Sequence, residues 1–117
     1  MTARTNTPSR PRTRFVVLEL ALETVEVARP FVDRLRKHDR EVEQQMRRAL
    51  TRCVLGLGEG AKLEGGNQQL AFRRARGEAN EALTAARLAV AWGYVDGAER
   101  VIDKLDHLVA LIVRLTR

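Results

Sequence analysis

The chain has 117 residues, of which 44% are hydrophobic and 4% aromatic, and its formal net charge is +6. This apolar content is enough for the core of one domain and excludes a wholly disordered chain. The apolar residues are mostly Ala, Leu and Val, which favour helices over strands, so we expect an all-α protein. Because no apolar run approaches the ~20 residues of a membrane span and no hydrophobic signal core is present, we expect a cytoplasmic protein without membrane contact.

The first 14 residues are polar and carry four arginines and no acid. Such a composition is typical of a disordered basic arm, so the predicted bundle occupies residues 15–117. The arm could form a flexible electrostatic contact with nucleic acid or with a protein partner. The alternative is that it is only a poorly ordered start of the chain. Charge is also uneven beyond the arm, because residues 15–28 carry three acids and no base. Such unevenness favours oriented association, although ordinary solvated helix faces would also explain it.

The first helix is predicted over residues 15–36, since apolar residues recur at intervals of four and three between Leu18 and Val25. Pro30 removes one backbone donor and crowds the preceding turn, so we expect a kink or a break there. The turn that follows ends at Asp39, which is the expected N-cap of the second helix.

The second and third helices are predicted over residues 40–63 and 68–92, with a glycine-containing loop at 64–67. Small residues recur on one face of each helix, and on the third helix they follow a heptad-like spacing. Small side chains let two helix axes approach closely, so we expect these residues to pack against a neighbouring helix. The predicted packing residues are Gly56, Gly58, Gly60, Ala75, Ala79, Ala82, Ala86 and Ala89.

The fourth helix is predicted over residues 96–116, with Gly93 closing the third helix and Asp96 as the N-cap of the fourth. Its apolar face is wide, with two neighbouring stripes, so we expect it to be buried partly within the bundle and partly between subunits. Four helices of about 20 residues with short connections predict an antiparallel up-down-up-down four-helix bundle.

The sequence contains no convincing active site. The glycines between Gly56 and Gly60 superficially resemble a nucleotide-binding loop, but no strand precedes them, so close helix packing or a bend explains them better. Neither His38 nor His107 follows a glutamate by three residues, as a di-iron bundle requires. Cys53 is the single cysteine and lies on an apolar stripe, which favours a core residue over a nucleophile. We therefore expect no catalysis, no metal and no cofactor.

Arginine dominates the basic residues, and its planar guanidinium group suits phosphate and carboxylate alike. Several basic residues lie close together in sequence and are candidate contacts for nucleic acid or a partner. They are Arg36, Lys37, Arg40, Arg47, Arg48, Arg52, Arg73, Arg74 and Arg76. No aromatic platform accompanies them in the sequence, so we expect any nucleic-acid binding to be directed at the backbone and sensitive to salt. The same arginines would equally suit salt bridges between subunits to Glu19, Glu23 and Glu26.

The middle of the chain resembles a known family. The segment from Met46 to Gly60 resembles the pattern I-R-R-A-A-x-S-I-x-x-N-I-A-E-G, and Ala75 to Glu81 and Leu88 to Tyr94 resemble A-x-G-S-x-x-E and L-A-x-x-x-G-Y. These patterns are those of the four-helix-bundle proteins encoded in intervening sequences of large-subunit ribosomal RNA genes. The chain departs from the family at Cys53 and Val54, where Ile-Pro is frequent.

The resemblance implies a bundle that assembles with itself as a ring, commonly a homopentamer. Relatives in this family include the accessory protein of diversity-generating retroelements, a basic pentameric bundle that binds a reverse transcriptase and nucleic acid. The resemblance therefore implies contact with RNA, DNA or a reverse transcriptase as the leading function. The alternative is a purely structural or protein-interaction module whose arginines serve its own assembly.

Overall fold

The computed structural model describes residues 9–116, with side chains from Thr13 onward, as a bundle of four helices. They are α1 (Ser9–Leu35), α2 (Arg40–Gly60), α3 (Gly65–Ala91) and α4 (Glu99–Leu115). Each helix packs against its neighbours in chain order, and α4 returns to α1, which confirms the predicted up-down-up-down bundle. No strand occurs in residues 9–116. The bundle is a rod with extents of 54 × 25 × 19 Å.

The core runs along the rod as two groups of buried side chains. The group nearer the α1–α2 turn is centred on Phe31, Met46 and Leu105, and the group at the opposite end is centred on Phe72 and Leu108. All five side chains are almost fully removed from solvent. Burial of a side chain of this size stabilises the fold by about 1.5–3 kcal/mol. None of the described helices has an apolar stretch that is long enough to cross a bilayer.

The closest helix pair is α2 and α3, and small residues make this closeness possible. The five alanines predicted to pack, which we call the alanine seam, are Ala75, Ala79, Ala82, Ala86 and Ala89. All of them are buried, which confirms the prediction. A methyl group placed on Gly56 would lie 3.4 Å from Ala75 Cβ, and one on Gly60 would lie 2.7 Å from the Phe72 ring. The prediction is wrong for Gly58, because a methyl group there would meet no atom within 4 Å.

The first helix differs from the prediction at both its start and its middle. It begins at Ser9, so residues 9–14 of the predicted arm are part of α1, and residues 1–8 lie outside the described residues. Pro11 is compatible with this helix start, because proline has no backbone N–H and the first N–H groups of a helix have no intrahelical acceptor. The helix also continues through Pro30 to Leu35, so of the expected kink or break the break does not occur. Pro30 is exposed and is followed by the buried Phe31, whose packing stabilises this segment as helix.

The first turn was predicted correctly. Asp39 is the N-cap of α2, and its Oδ1 accepts hydrogen bonds from the backbone N–H groups of Glu41 and Val42 at 3.0 and 3.1 Å. Such a cap stabilises a helix by about 1 kcal/mol. The carboxylate also holds the opposite loop, because the Tyr94 hydroxyl donates to Asp39 Oδ2 at 3.2 Å.

The second turn lies earlier than predicted. α2 ends at Gly60, three residues before the predicted end, and α3 begins at Gly65, within the predicted 64–67 loop. Gln68 Nε2 donates to the carbonyl oxygens of Gly60 and Leu63, so a side chain of α3 satisfies the end of α2. Gly65 has φ of +60°, a conformation that glycine adopts without strain and that redirects the chain into α3.

The third turn was predicted correctly on one side only. Gly93 follows α3 with φ of +79°, and its N–H donates to Val90 O while that of Tyr94 donates to Ala89 O. This pair of bonds is a Schellman motif, in which Gly93 ends α3 as expected. Asp96, however, is not the N-cap of α4. Gly97 adopts φ of +67° and turns the chain again, so α4 begins at Glu99 without a side-chain cap.

Two glycines of α2 provide a matched test of this packing. Gly58→Ala is expected to raise the free energy of unfolding by about 0.5–1 kcal/mol, because alanine favours the helix and the new methyl group meets open space. Gly60→Ala is expected to lower it by about 1–3 kcal/mol, because the buried Phe72 ring must move. Urea unfolding followed by circular dichroism at one protein concentration measures both. Equal effects of the two substitutions would contradict the packing described.

Candidate interaction surfaces

A groove between α1 and α2 exposes large apolar side chains. Phe15, Leu22 and Leu55 line it and are 57%, 42% and 67% exposed. Its volume is about 470 Å³, and its other lining residues are Leu18, Val54, Gly58, Ala61 and the charged Glu59 and Lys62. Scattered exposed apolar residues are ordinary, but several around one groove are typical of an interaction surface. We call this feature the α1–α2 groove.

The other flank of α1 is also apolar but has an acidic rim. Phe15, Val16 and Leu111 line a second groove, between α1 and α4, together with Glu19 and Glu23. Lys104 Nζ donates to Glu23 Oε1 at 3.2 Å and neutralises part of this charge. The first half of α1 is thus covered only on its inner side, and it presents apolar side chains and carboxylates outward.

Most of the predicted basic contacts are available to a partner. Seven of them are exposed and form no salt bridge with another described residue. These seven are Arg36, Lys37, Arg40, Arg48, Arg52, Arg73 and Arg74. Their guanidinium and ammonium groups therefore keep their hydrogen-bonding capacity for carboxylate or phosphate groups from outside.

The other two predicted contacts are engaged within the chain. Arg47 Nε donates to Glu43 Oε2 at 2.7 Å and Arg47 Nη2 to Asp33 Oδ1 at 3.5 Å, which joins α2 to α1. The hydrogen bond to the buried Glu43 raises the pKa of Arg47 above its ordinary value, so the Arg47 guanidinium group stays protonated. Arg76 Nη1 donates to Thr116 Oγ1 at 3.1 Å and thus faces the end of α4.

The arginines of α3 do not form one basic patch. Arg74 lines a groove between α2 and α3 with Arg52, while Arg76 lies on the α4 side of the helix. Glu59 and Glu78 line the same α2–α3 groove, so its charge is mixed rather than basic. Sequence neighbours on a helix point in different directions, and the run of arginines at 73–76 therefore overstated the local charge.

An aromatic stack near the α1–α2 turn was missed in the sequence. The His38 and Tyr94 rings lie 5.6 Å apart at 10°, and the Trp92 and Tyr94 rings lie 6.2 Å apart at 17°. The expectation that no aromatic platform accompanies the basic residues is therefore wrong for this end of the bundle. Burial and the hydrogen bond to Asp39 raise the pKa of Tyr94, so its hydroxyl stays a donor at neutral pH.

This stack does not by itself make a nucleic-acid surface. The adjacent cleft of about 600 Å³ is lined by the carboxylates of Asp96, Glu99 and Asp103, against a single guanidinium group from Arg34. Phosphate groups would be repelled by this excess of negative charge. The aromatic stack could not be predicted from the sequence, because His38 and Tyr94 are far apart in the chain and come into contact only when the bundle has formed.

Cys53 has the environment of a core residue, as predicted. It is fully buried, and burial, with a smaller contribution from Glu78, raises the pKa of its thiol to about 12. The thiolate is the nucleophilic form, so the Cys53 side chain is inert at neutral pH. Among the described residues, no three His, Cys, Asp or Glu side chains converge in a way that could hold a metal ion.

Comparison with known proteins adds no further assignment. No protein-family model, no curated protein and no solved structure matches this chain. The resemblance to the intervening-sequence family therefore stays a prediction. The fold and the surfaces described above are the basis on which a function can be proposed.

Proposed function

We propose that this chain is a non-enzymatic interaction module that associates with further copies of itself through the outer face of α1. The observation that carries this proposal is the α1–α2 groove, where Phe15, Leu22 and Leu55 are each more than two-fifths exposed. Covering such side chains with a partner removes apolar surface from water, which is the dominant favourable contribution to most protein association.

Charge complementarity favours a second copy as the occupant. Glu19 and Glu26 are exposed on α1 and form no salt bridge with another described residue, whereas Arg48, Arg52 and Arg74 are unpaired on α2 and α3. The acidic face of one copy therefore complements the basic face of another. Contact between two different faces is heterologous, and such contacts close into a ring when the rotation permits. A ring, with five subunits favoured, also agrees with the family resemblance.

A second candidate function is contact with RNA, DNA or a nucleic-acid enzyme such as a reverse transcriptase. The seven unpaired basic residues favour it, because guanidinium groups without an internal carboxylate partner bind phosphate well. The mixed charge of the α2–α3 groove makes this candidate the weaker of the two. Membership of the intervening-sequence family would support both, since the family resemblance implies self-association and nucleic-acid contact together.

Self-association through the groove predicts a specific response to charge placed there. Leu55→Glu is expected to shift the protein from oligomer to monomer, because a carboxylate in an apolar interface loses its hydration. Trp92→Glu is the matched control, since Trp92 is 64% exposed and lies outside the groove, and it should leave the oligomer intact. Sedimentation velocity measures both masses. A monomeric parent protein, or equal effects of the two variants, would contradict the proposal.

Nucleic-acid contact predicts a change in salt dependence. Replacing Arg48 and Arg52 with Gln should weaken binding to a ribosomal RNA fragment and lower the slope of log K against log salt concentration by roughly 2. The double variant Arg87→Gln, Arg100→Gln removes two exposed arginines outside the candidate set and serves as the control. Binding that responds equally to both pairs, or is absent at low salt, would rule out this second function. Loss of the oligomer without loss of binding would assign these arginines to assembly.

A further inference from the structure

The end of the bundle where α1 and α3 begin and α4 ends contains a small polar cleft. Its volume is about 310 Å³, and Arg14 and Arg114 bring two guanidinium groups to it, with Gln69 between the helices. Its described lining residues include no carboxylate. Each of the other four described clefts is lined by at least one carboxylate, so this cleft is distinct in its positive charge.

The walls of the cleft are held by glutamine side chains. Gln69 Nε2 donates to Leu115 O at 2.9 Å, which joins α3 to the end of α4. Gln68 Nε2 donates to Gly60 O at 3.0 Å and to Leu63 O at 2.7 Å, which joins α3 to the end of α2. The beginning of α3 is therefore joined to the ends of α2 and α4, and α3 and α4 provide two walls of the cleft.

Two polar atoms of the cleft residues have no hydrogen-bond partner among the described residues. Arg14 Nε and Gln69 Oε1 are both shielded from solvent and unpaired. A buried polar group without a partner costs about 1–3 kcal/mol, so most such groups in folded proteins are satisfied. Because Arg14 is otherwise partly exposed, its guanidinium can turn toward a ligand and gain the missing bond. The unpaired atoms are one donor and one acceptor, which indicates a ligand that carries both kinds of group.

We propose that this cleft binds a phosphate group. Arg14 and Arg114 would donate to phosphate oxygens, for which the planar guanidinium group is well suited. Gln69 Oε1 would accept from a hydroxyl group, which monohydrogen phosphate carries itself and ribose carries as its 2′-OH. The ligand is thus free phosphate or the backbone of RNA. The site shares no residue with the α1–α2 groove or with the seven unpaired basic residues, so variants of Arg14 and Arg114 test it separately from the proposed function.

The test is isothermal titration calorimetry of the full-length chain at low salt in a buffer without phosphate. The probes are inorganic phosphate, a short RNA strand and a DNA strand of the same sequence. Arg14→Gln and Arg114→Gln should each weaken binding about tenfold, because each removes a charge-assisted contact. Gln69→Glu should abolish it, because the new carboxylate pairs with Arg14 and repels phosphate. Arg87→Gln, an exposed arginine outside the cleft, should bind as the parent does.

The three probes separate the two sources of phosphate. Binding of inorganic phosphate that depends on Arg14 supports free phosphate as the ligand, and tighter binding of RNA than of DNA supports the RNA backbone. Absence of binding by all probes overturns the proposal, as does binding that Arg14→Gln and Arg114→Gln leave unchanged. Equal weakening by Arg87→Gln would also overturn it, since the binding would then be general charge attraction. Circular dichroism identifies any variant that fails to fold, and the remaining cleft variants then decide.

Discussion

The close approach of α2 and α3 depends on residues that have almost no side chain where the two helices meet. Along α3 the alanine seam is buried, and on α2 Gly56 lies opposite its first member, Ala75, while Gly60 lies against Phe72 and Ala71, one turn earlier on α3. Larger groups at these positions would force the helix axes apart, because protein interiors are packed too tightly to absorb extra atoms. Because α1 packs against α2 and α4 packs against α3, the separation of α2 and α3 also limits where the other two helices can lie.

The bundle combines a tightly packed α2–α3 contact with apolar surface left on the outside of α1. An alanine buries far less apolar area than a leucine, so the α2–α3 interface gains closeness but little hydrophobic stabilisation for each residue. Phe15, Val16 and Leu22 of α1 also stay outside the core and are exposed. A chain of this size buries a smaller share of its surface than a larger protein does. The proposed association between copies would remove this surface from water and so complete the core.

Features that depend on local residues could be predicted from the sequence. The alanine seam, the Asp39 cap and the end of α3 at Gly93 were all predicted, because helix spacing and capping act over a few residues. The Asp96 cap was wrong because the conformation of Gly97 outweighed the capping preference. Features that join distant parts of the chain could not be predicted. The Tyr94–Asp39 bond and the cleft between Arg14 and Arg114 exist only once four helices are assembled.

The most direct measurement for this account is the stability of the chain when the α2–α3 contact is enlarged. Ala75→Leu places a bulky side chain where the Gly56 backbone approaches, and Ala91→Leu makes the same change at an exposed position of α3. We expect Ala75→Leu to lower the free energy of unfolding by about 1–3 kcal/mol and Ala91→Leu to change it by less than about 0.5 kcal/mol. If Ala75→Leu unfolded at the same urea concentration as the parent chain, close packing of α2 and α3 would not be the basis of this fold.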